Sequence, residues 1–360
     1  MIVQAQSIDE IREAVRDRAT LPVAGASKPA LWRGHDDRAL LDVSHIRGLI
    51  EYDPAELTFT ALAATPVSEV NAALAENGQC LPFDPPFVQA GATLAGAVAA
   101  GASGPGGFRH GGVRDFVIGV QFVDGTGRLV SGGGRVVKNA AGFDLPKLMV
   151  GSMGRLGVMT RLSFKVLPRP RCTTTLVFSM PSLADALAAV MSLGRGPLQL
   201  DALDITADGR LLVRLGGEPE PMTARARRCA EIVGASHERL DGQRESDEWA
   251  AATELGWAGR DTEIVRVALT PASALALHDG LSGAGASVRL SLGANVAWVA
   301  WPTAHPMRDL DRVLRDLGLR GMRLTGDTEG GSALLGVPQG GPFAQRVSRA
   351  LDPNQRFAAL

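Results

Sequence analysis

Residues 91–112 read GATLAGAVAAGASGPGGFRHGG, and residues 151–157 read GSMGRLG. The first stretch carries too little bulk, and too many glycines, to form a packed helix along its whole length. A third small-residue stretch, AGASK (24–28), follows the apolar run LPV. Each lies after or beside a strand-like apolar segment. Small residues permit positive φ and let main-chain N–H groups come close to a ligand. Several such amides converging on one point form a nest for an anion, commonly a pyrophosphate. A single glycine loop is usually a plain tight turn. Three of them in one region, joined by strands, favour a dinucleotide.

The segments around these loops are strands and short helices. VIGVQFVDGTGRLVSG (117–132) predicts two strands joined by a turn at Asp124-Gly125. From 156 to 167, Leu156, Val158, Thr160, Leu162, Phe164 and Val166 fall on one side of a strand. LTFTAL (57–62) alternates in the same way. Near the start, Ser7 and Glu10 form a capping box before Ile8, Ile11 and Val15 at helical spacing. Thr65 is expected to cap a second helix with Pro66 in its first position, Val67, Val70 and Leu74 on its apolar face, and Asn77-Gly78 as its stop. Pro168 and Pro170 mark a domain boundary. Past it, TTTLVF (173–178), LLVRL (211–215), EIVRVAL (263–269) and ANVAWVAW (294–301) each precede a helical pattern. That order predicts an α+β domain whose sheet is covered mainly on one face. Trp298 and Trp301 fall on opposite faces of their strand, one expected in the core and the other under a helix.

A chain of 360 residues fits two domains of about 100–200 residues each. With 37 Lys+Arg against 38 Asp+Glu, the net charge of −1 supplies no long-range pull on phosphate backbones or anionic lipid, which argues against a nucleic-acid partner. Cys80, Cys172 and Cys229 stand far apart and form neither a cluster motif nor a disulfide framework. The first ten residues lack a signal-peptide pattern, and no apolar run approaches the roughly 18 residues that span a bilayer. These features predict a cytoplasmic protein that meets a membrane only through partners. GSMGRLG does not space its glycines as GxGxxG, and nothing matches GxxxxGK[ST]. A nicotinamide-binding Rossmann domain and a P-loop are therefore both disfavoured.

PVAGASK, LPFDPP (81–86), GATLAG, GASGP (101–105), GVRDFVIGVQFVDGTG (112–127), VVKNAAGFDLPKL (136–148) and GSMGRLGVMT (151–160) follow one another in an order that resembles a known family. It is the FAD-binding domain of the vanillyl-alcohol oxidase / p-cresol methylhydroxylase class. KNAAGFDL and the overall length resemble, within it, the FAD-binding E subunits of bacterial glycolate oxidases. The resemblance covers most of residues 1–170 and returns at LDPNQRF (351–357). It implies two α+β subdomains in 1–170 clasping FAD, then a cap domain (171–360) on an antiparallel sheet, with the tail returning to the first domain. It also implies site residues. Ala24, Gly25, Ala26, Ser27 and Lys28 would hold the FAD pyrophosphate through backbone amides, and Ala92, Thr93 and Gly96 would form a second phosphate-side loop. Ser103, Gly104 and Pro105 would run beside the flavin ring. Gly151, Gly154 and Val158 would approach the cofactor from the last strand, with Val158 near the adenine. The 24–28 loop has neither His nor Cys for covalent attachment, so FAD is expected to be non-covalent. Ala26, Ala64 and Ala95 stand where relatives often carry Gly, and each would cost about 1 kcal/mol or more if its site needs φ > 0.

Catalytic candidates are Arg109, His110 and Arg114. A neutral His110 could take the hydroxyl proton of a 2-hydroxy acid, or it could be a solvent-facing loop histidine. Either arginine could pair with a carboxylate, and Arg114-Asp115 is expected to be a structural ion pair. Lys138 and Asn139 could face the cofactor, a partner subunit, or only their own turn. His237, His278 and His305 are scattered through the second half without a ligand motif, so no metal is expected. The leading expectation is a subunit of a glycolate oxidase-type complex, with a catalytic FAD subunit and an iron–sulfur subunit as partners and a small 2-hydroxy acid as substrate. The alternatives are a self-sufficient FAD dehydrogenase of a hydroxy acid or sugar-like alcohol, and an interaction subunit that has lost FAD.

Overall fold

The computed structural model describes residues 2–23, 39–134, 143–326, 332–338 and 341–357. The chain opens with β1 (Ile2–Gln4), α1 (Ile8–Asp17), β2 (Thr20–Val23) and β3 (Ala39–Asp42). The three strands form a parallel sheet in the order β1-β3-β2. Ser7 caps α1, accepting from Glu10 N at 3.3 Å, while the Glu10 carboxylate accepts from Gln6 N at 2.8 Å. Ile11 and Val15 are buried beneath that helix with Leu41, Val123 and Val158.

Next come β4 (Leu49–Asp53), β5 (Thr58–Leu62), α2 (Val67–Ala75), β6 (Gln79–Cys80), α3 (Leu94–Ala100), α4 (Gly107–His110) and α5 (Val113–Phe116). They are followed by β7 (Val117–Val123), β8 (Leu129–Gly133), α6 (Leu145–Met149), β9 (Val158–Lys165) and β10 (Leu167–Pro168). A five-stranded antiparallel sheet runs β4-β5-β9-β7-β8. Its core is aromatic: the Phe59, Phe83, Phe116 and Phe164 rings stack at centroid distances of 5.4–6.2 Å.

One expectation about α2 needs correcting. Pro66, not Thr65, is its N-cap residue, and no side chain caps it. Thr65 is turned the other way, its hydroxyl accepting from Gly48 N at 2.9 Å and donating to Leu62 O at 2.7 Å. It serves the loop before β4 instead of the helix.

The remaining elements are β11 (Cys172–Ser179), α7 (Leu183–Gly194), β12 (Ala202–Ile205), β13 (Arg210–Gly217), α8 (Pro219–Val233), β14 (His237–Asp241) and α9 (Gly242–Thr253). Then follow β15 (Thr262–Ala268), α10 (Pro271–Leu281), β16 (Ser287–Ser291), β17 (Val296–Pro302), α11 (Met307–Asp316), β18 (Arg320–Arg323), β19 (Leu334–Gly336) and α12 (Gly341–Leu351). The strands join in one nine-stranded antiparallel sheet, β14-β11-β13-β12-β16-β17-β15-β18-β19. Helices α7, α8, α10 and α11 bury one face, where Leu176, Phe178, Val213, Val265, Val299 and Trp301 form the core. The other face is different, carrying Asp204, Arg214, Arg266, Arg289 and Trp298 toward the glycine-rich loops. The last segment packs on the first half: Val347 and Leu351 touch the five-stranded sheet's core, and Phe357 is buried beside Val123 and Val158. Among the described residues, no helix is long and apolar enough to cross a membrane.

Candidate functional site

α3 organises the site. Thr93 caps it, accepting from Gly96 N at 3.2 Å, and Leu94, Ala97 and Val98 are its buried face. It ends at Gly101, whose φ of 56° is the left-handed conformation that favours glycine. The last-turn carbonyls are taken up by other segments of the chain. Val98 O accepts from Gly151 N at 2.9 Å and Ala99 O from Met153 N at 3.0 Å. The Gly101 carbonyl accepts from the Arg266 guanidinium on β15. Two of the small-residue loops therefore cross here. A Cβ on Gly101 would lie 3.3 Å from Gly151 N, so any other residue would push the two backbones apart by a few tenths of an ångström. Gly151 is at φ 78°, and a Cβ there would meet nothing within 4 Å among the described residues. Among the described residues, the outer side of the crossing is open. Beside it, Ser152 is 4% exposed and its hydroxyl has no hydrogen-bond partner among the described residues.

Loop 24–28 lies outside the described residues, as do Lys138 and Asn139. At 92–96 the main chain is largely engaged: Ala92 N donates to Phe87 O, Leu94 N to Thr65 O and Ala95 N to Ala63 O. Ser103 Oγ accepts from Val113 N at 2.9 Å. Gly104 N donates to both Phe83 O and Asp84 O, and Pro105 is buried behind it. Gly154 adopts φ 74°, while Val158 is buried and pairs with Val123. Ala64 and Ala95 do not have positive φ, the latter being helical, so the expected strain does not arise at either. Ala26 lies outside the described residues.

The nine-stranded sheet meets these loops with its polar face. Arg289, Trp298, Arg266 and Met322 sit side by side across β16, β17, β15 and β18. Arg266 is partly buried, and that burial lowers its pKa to about 10. Arg289 is paired with Asp204 at 3.0 Å, with the side chains 4% and 0% exposed. Ser291 donates to the same carboxylate at 2.7 Å. A small cavity lined by Pro86, Gly104, Pro105, Asp204, Arg289 and Trp298 separates sheet from loop. Next to it, Met153, Leu255, Trp298 and Leu324 pack with Ala100, Phe87 and Trp257, and the Trp257 Nε1 donor is buried without a partner among the described residues. Asp84, Phe87, Met153 and Leu255 all hold left-handed φ, between 43° and 64°. Backbone strain of this kind persists only where surrounding contacts over-determine it.

The catalytic candidates separate. Arg109 is bound to Asp201 and, at 3.1 Å, to Gln199, so its charge ties α4 to the start of β12. Arg114 is exposed and donates to Lys147 O at 3.5 Å. It does not pair with Asp115, which instead accepts from Gly112 N at 2.9 Å and so fixes the α5 N-terminus. The helical turn points the two neighbours apart, which adjacency in sequence hides. His110 is partly exposed on α4. Burial, then Arg109, hold its pKa below the ordinary 6.5, against the pull of Asp201 and Asp84. The unfolded chain lacks this restraint, so between the lowered value and pH 6.5 the folded state binds fewer protons. The stabilisation is present above pH 6.5 and is lost as pH falls through the folded value. Urea midpoints measured against pH should fall more steeply below 6.5 for the wild type than for His110→Gln.

The first-half residues fit a dinucleotide. Among the described residues, the crossing of Gly101 and Gly151 is open on one side, the Ser152 hydroxyl beside it has no partner, and neither has the Trp257 indole donor nearby. Ser103 and Thr93 contribute mainly by holding short helices in place. Comparison with known proteins agrees. Residues 1–133 match a family described as an FAD binding domain. Over 237 residues the chain is 40% identical to glycolate oxidase subunit GlcE of Escherichia coli, spanning 66% of this chain and 65% of that protein. It is 27% identical over 212 residues to D-2-hydroxyglutarate dehydrogenase of Xanthomonas citri pv. viticola, 57% of this chain and 44% of that one. With glycolate oxidase subunit GlcD of Bacillus subtilis it shares 30% identity over 148 residues, 41% of this chain and 31% of that one. In each case the match covers less than two thirds of the relative's length. Among solved structures, alkyldihydroxyacetonephosphate synthase superposes with a TM-score of 0.67, covering 99% of this chain and 76% of that one. At 14% identity, that likeness speaks to the fold alone.

Proposed function

We propose that the chain, whose residues 1–133 match a family of FAD binding domains, is the FAD-carrying subunit of a glycolate oxidase-type 2-hydroxy acid dehydrogenase. The observation that carries this reading is the Gly101/Gly151 crossing, open among the described residues, in a chain 40% identical over 237 residues to a subunit of that name. On this reading FAD binds without a covalent bond, glycolate or a close 2-hydroxy acid is oxidised to the oxo acid, and electrons pass through partner subunits, one flavin-bearing and one iron–sulfur. Membrane contact is made through those partners.

The bound flavin supplies a two-electron acceptor for hydride. The chain's own residues do the rest. Loops 101–107 and 151–157 would form its seat, with Gly151 and Gly154 at the crossing and Ser103, Gly104 and Pro105, as the family resemblance implies, on the ring side. By the family resemblance residues 24–28 would hold the phosphates, with Ala92, Thr93 and Gly96 shaping the loop behind them, since the Ala92 and Gly96 amides are already engaged by Phe87 O and Thr93 Oγ1. Leu255, Trp257 and Trp298, which pack with Phe87, Ala100 and Met153, would exclude water beside the bound flavin. Arg109 is spent on Asp201 and Arg114 is exposed, which leaves His110, held neutral at pH 7, as the group available to move a proton. The two-domain division near residue 170 belongs to the same reading.

Purified alone, the chain should show flavin absorbance that is released on denaturation, and it should not turn over glycolate with an artificial electron acceptor. Brisk turnover by the isolated chain would replace the subunit reading with a self-sufficient dehydrogenase. A protein that stays colourless after incubation with FAD would point to a subunit that has lost its cofactor.

A further inference from the structure

α3 is only seven residues long, and the carbonyls of its last turn hold together the two loops that meet at Gly101 and Gly151. Two of those carbonyls are met by loop 151–153, so the loop secures its own crossing. The third, at Gly101, belongs to the residue from which the 101–107 loop departs, and what meets it comes from the other half of the chain. The Arg266 guanidinium reaches it from β15, with its second nitrogen 3.9 Å from Met322 Sδ. A cation at a helix C-terminus is favourably placed. Here it also sets where the helix ends and the loop begins.

We propose that Arg266 is a positioning residue of the cofactor site: from the nine-stranded sheet it holds the Gly101 carbonyl, and through it the Gly101/Gly151 crossing on which FAD rests. This rests on the reading of the first half as the FAD carrier. Affinity for FAD is then set jointly by both halves, although among the described residues the Arg266 side chain hydrogen-bonds only to Gly101 and Met322.

The surroundings of Arg266 separate this role from a merely structural one. Its row neighbours are Trp298 and Met322, both in an apolar cluster. Methionine has similar reach and suits such a cluster, and relief of the desolvation cost of the guanidinium offsets the hydrogen bond lost at Gly101 O. Arg266→Met should therefore leave the thermal midpoint of the FAD-free chain within about 3 °C of wild type. FAD affinity should nevertheless fall roughly ten- to hundredfold, the worth of a charge-assisted hydrogen bond. The visible circular dichroism of the bound flavin should change with it, and Arg266→Lys should recover most of both.

The measurements are flavin-fluorescence titration with FAD, visible circular dichroism, and thermal melts of the stripped chain. Wild-type affinity in Arg266→Met overturns the proposal. So does a loss of affinity that merely follows a fallen midpoint, and so does failure of Arg266→Met to fold, because the apolar cluster should accept it. Failure of the wild-type chain to take up FAD is read before any variant is made, and it sinks the functional reading instead.

Discussion

Asp204→Ala should cost about 3–5 kcal/mol of stability, the price of leaving a buried cation without its counter-charge. Asp204 is fully buried, Arg289 is paired with it at 3.0 Å, and Ser291 donates to its other oxygen at 2.7 Å. Burial pulls the Asp204 pKa up, while Arg289 and Ser291 pull it down. The Arg289 guanidinium also lies 5.8 Å from the Trp249 ring centroid, with Arg214 5.7 Å away on the same ring. That arrangement gives a direct optical readout, because Trp249 emission should change when either guanidinium moves. Removing the acid strands Arg289, whose Nη2 already lacks a hydrogen-bond partner among the described residues. Removing both partners is a different experiment. Asp204→Leu combined with Arg289→Met should recover most of the loss, since an apolar pair needs no compensation. Urea unfolding followed by tryptophan fluorescence compares the variants. A single-variant loss under about 1 kcal/mol would mean that water, not Asp204, solvates this arginine.

The second large effect contrasts two glycines of the same site. Gly104 lies against residues 83–84, and a Cβ there would come within 2.3 Å of Asp84 O and 3.2 Å of Thr253 Cγ2. The oxygen is main chain, and Asp84 is already held at φ 43°, so little can yield. Gly104→Ala should therefore cost about 3 kcal/mol, the upper end for overpacking, before any cofactor is added. At Gly151 the same methyl meets nothing within 4 Å among the described residues, and the FAD-free chain should lose only about 1 kcal/mol, from placing alanine at φ 78°. If FAD occupies the open side, Gly151→Ala should still weaken its binding roughly tenfold or more. Stability and affinity thus move in opposite proportion at two glycines that look alike in sequence. Equal FAD affinity in Gly151→Ala and wild type would place the cofactor elsewhere.

Much of this architecture could be read from residue order. The Asp124-Gly125 turn joins β7 and β8, the alternation from 156 onward is β9, and the helices after 182, 219, 271 and 306 occupy the stretches their apolar spacing marks. Trp298 and Trp301 lie on opposite sheet faces, both buried, as a period of two requires. Short or charged elements were harder to see. β12, β14, β16, β18 and α9 carry too few apolar residues in a row to announce themselves, and their strands are stable only because neighbours in the sheet complete them. One signal for the site was available but easily passed over. In ALDI, LLVRL, IVRVAL and SVRLS a single charged residue stands between apolar neighbours, and a charge there must find a partner on a covered face.

Residue order alone determined that small-residue loops alternate with strands in the first half and that the second half is one sheet with helices on a side. Those properties are local, set by bulk, φ preference and periodicity. Only the tertiary structure decided which glycines serve chain packing and which open outward, since that depends on what stands across from each Cβ. It likewise decided that Arg266, 165 residues away in sequence, secures the end of α3, and that Arg109 and Arg114 are turned to other tasks. Hydrogen bonds and ion pairs act over a few ångströms of space, and only folding brings such distant residues that close.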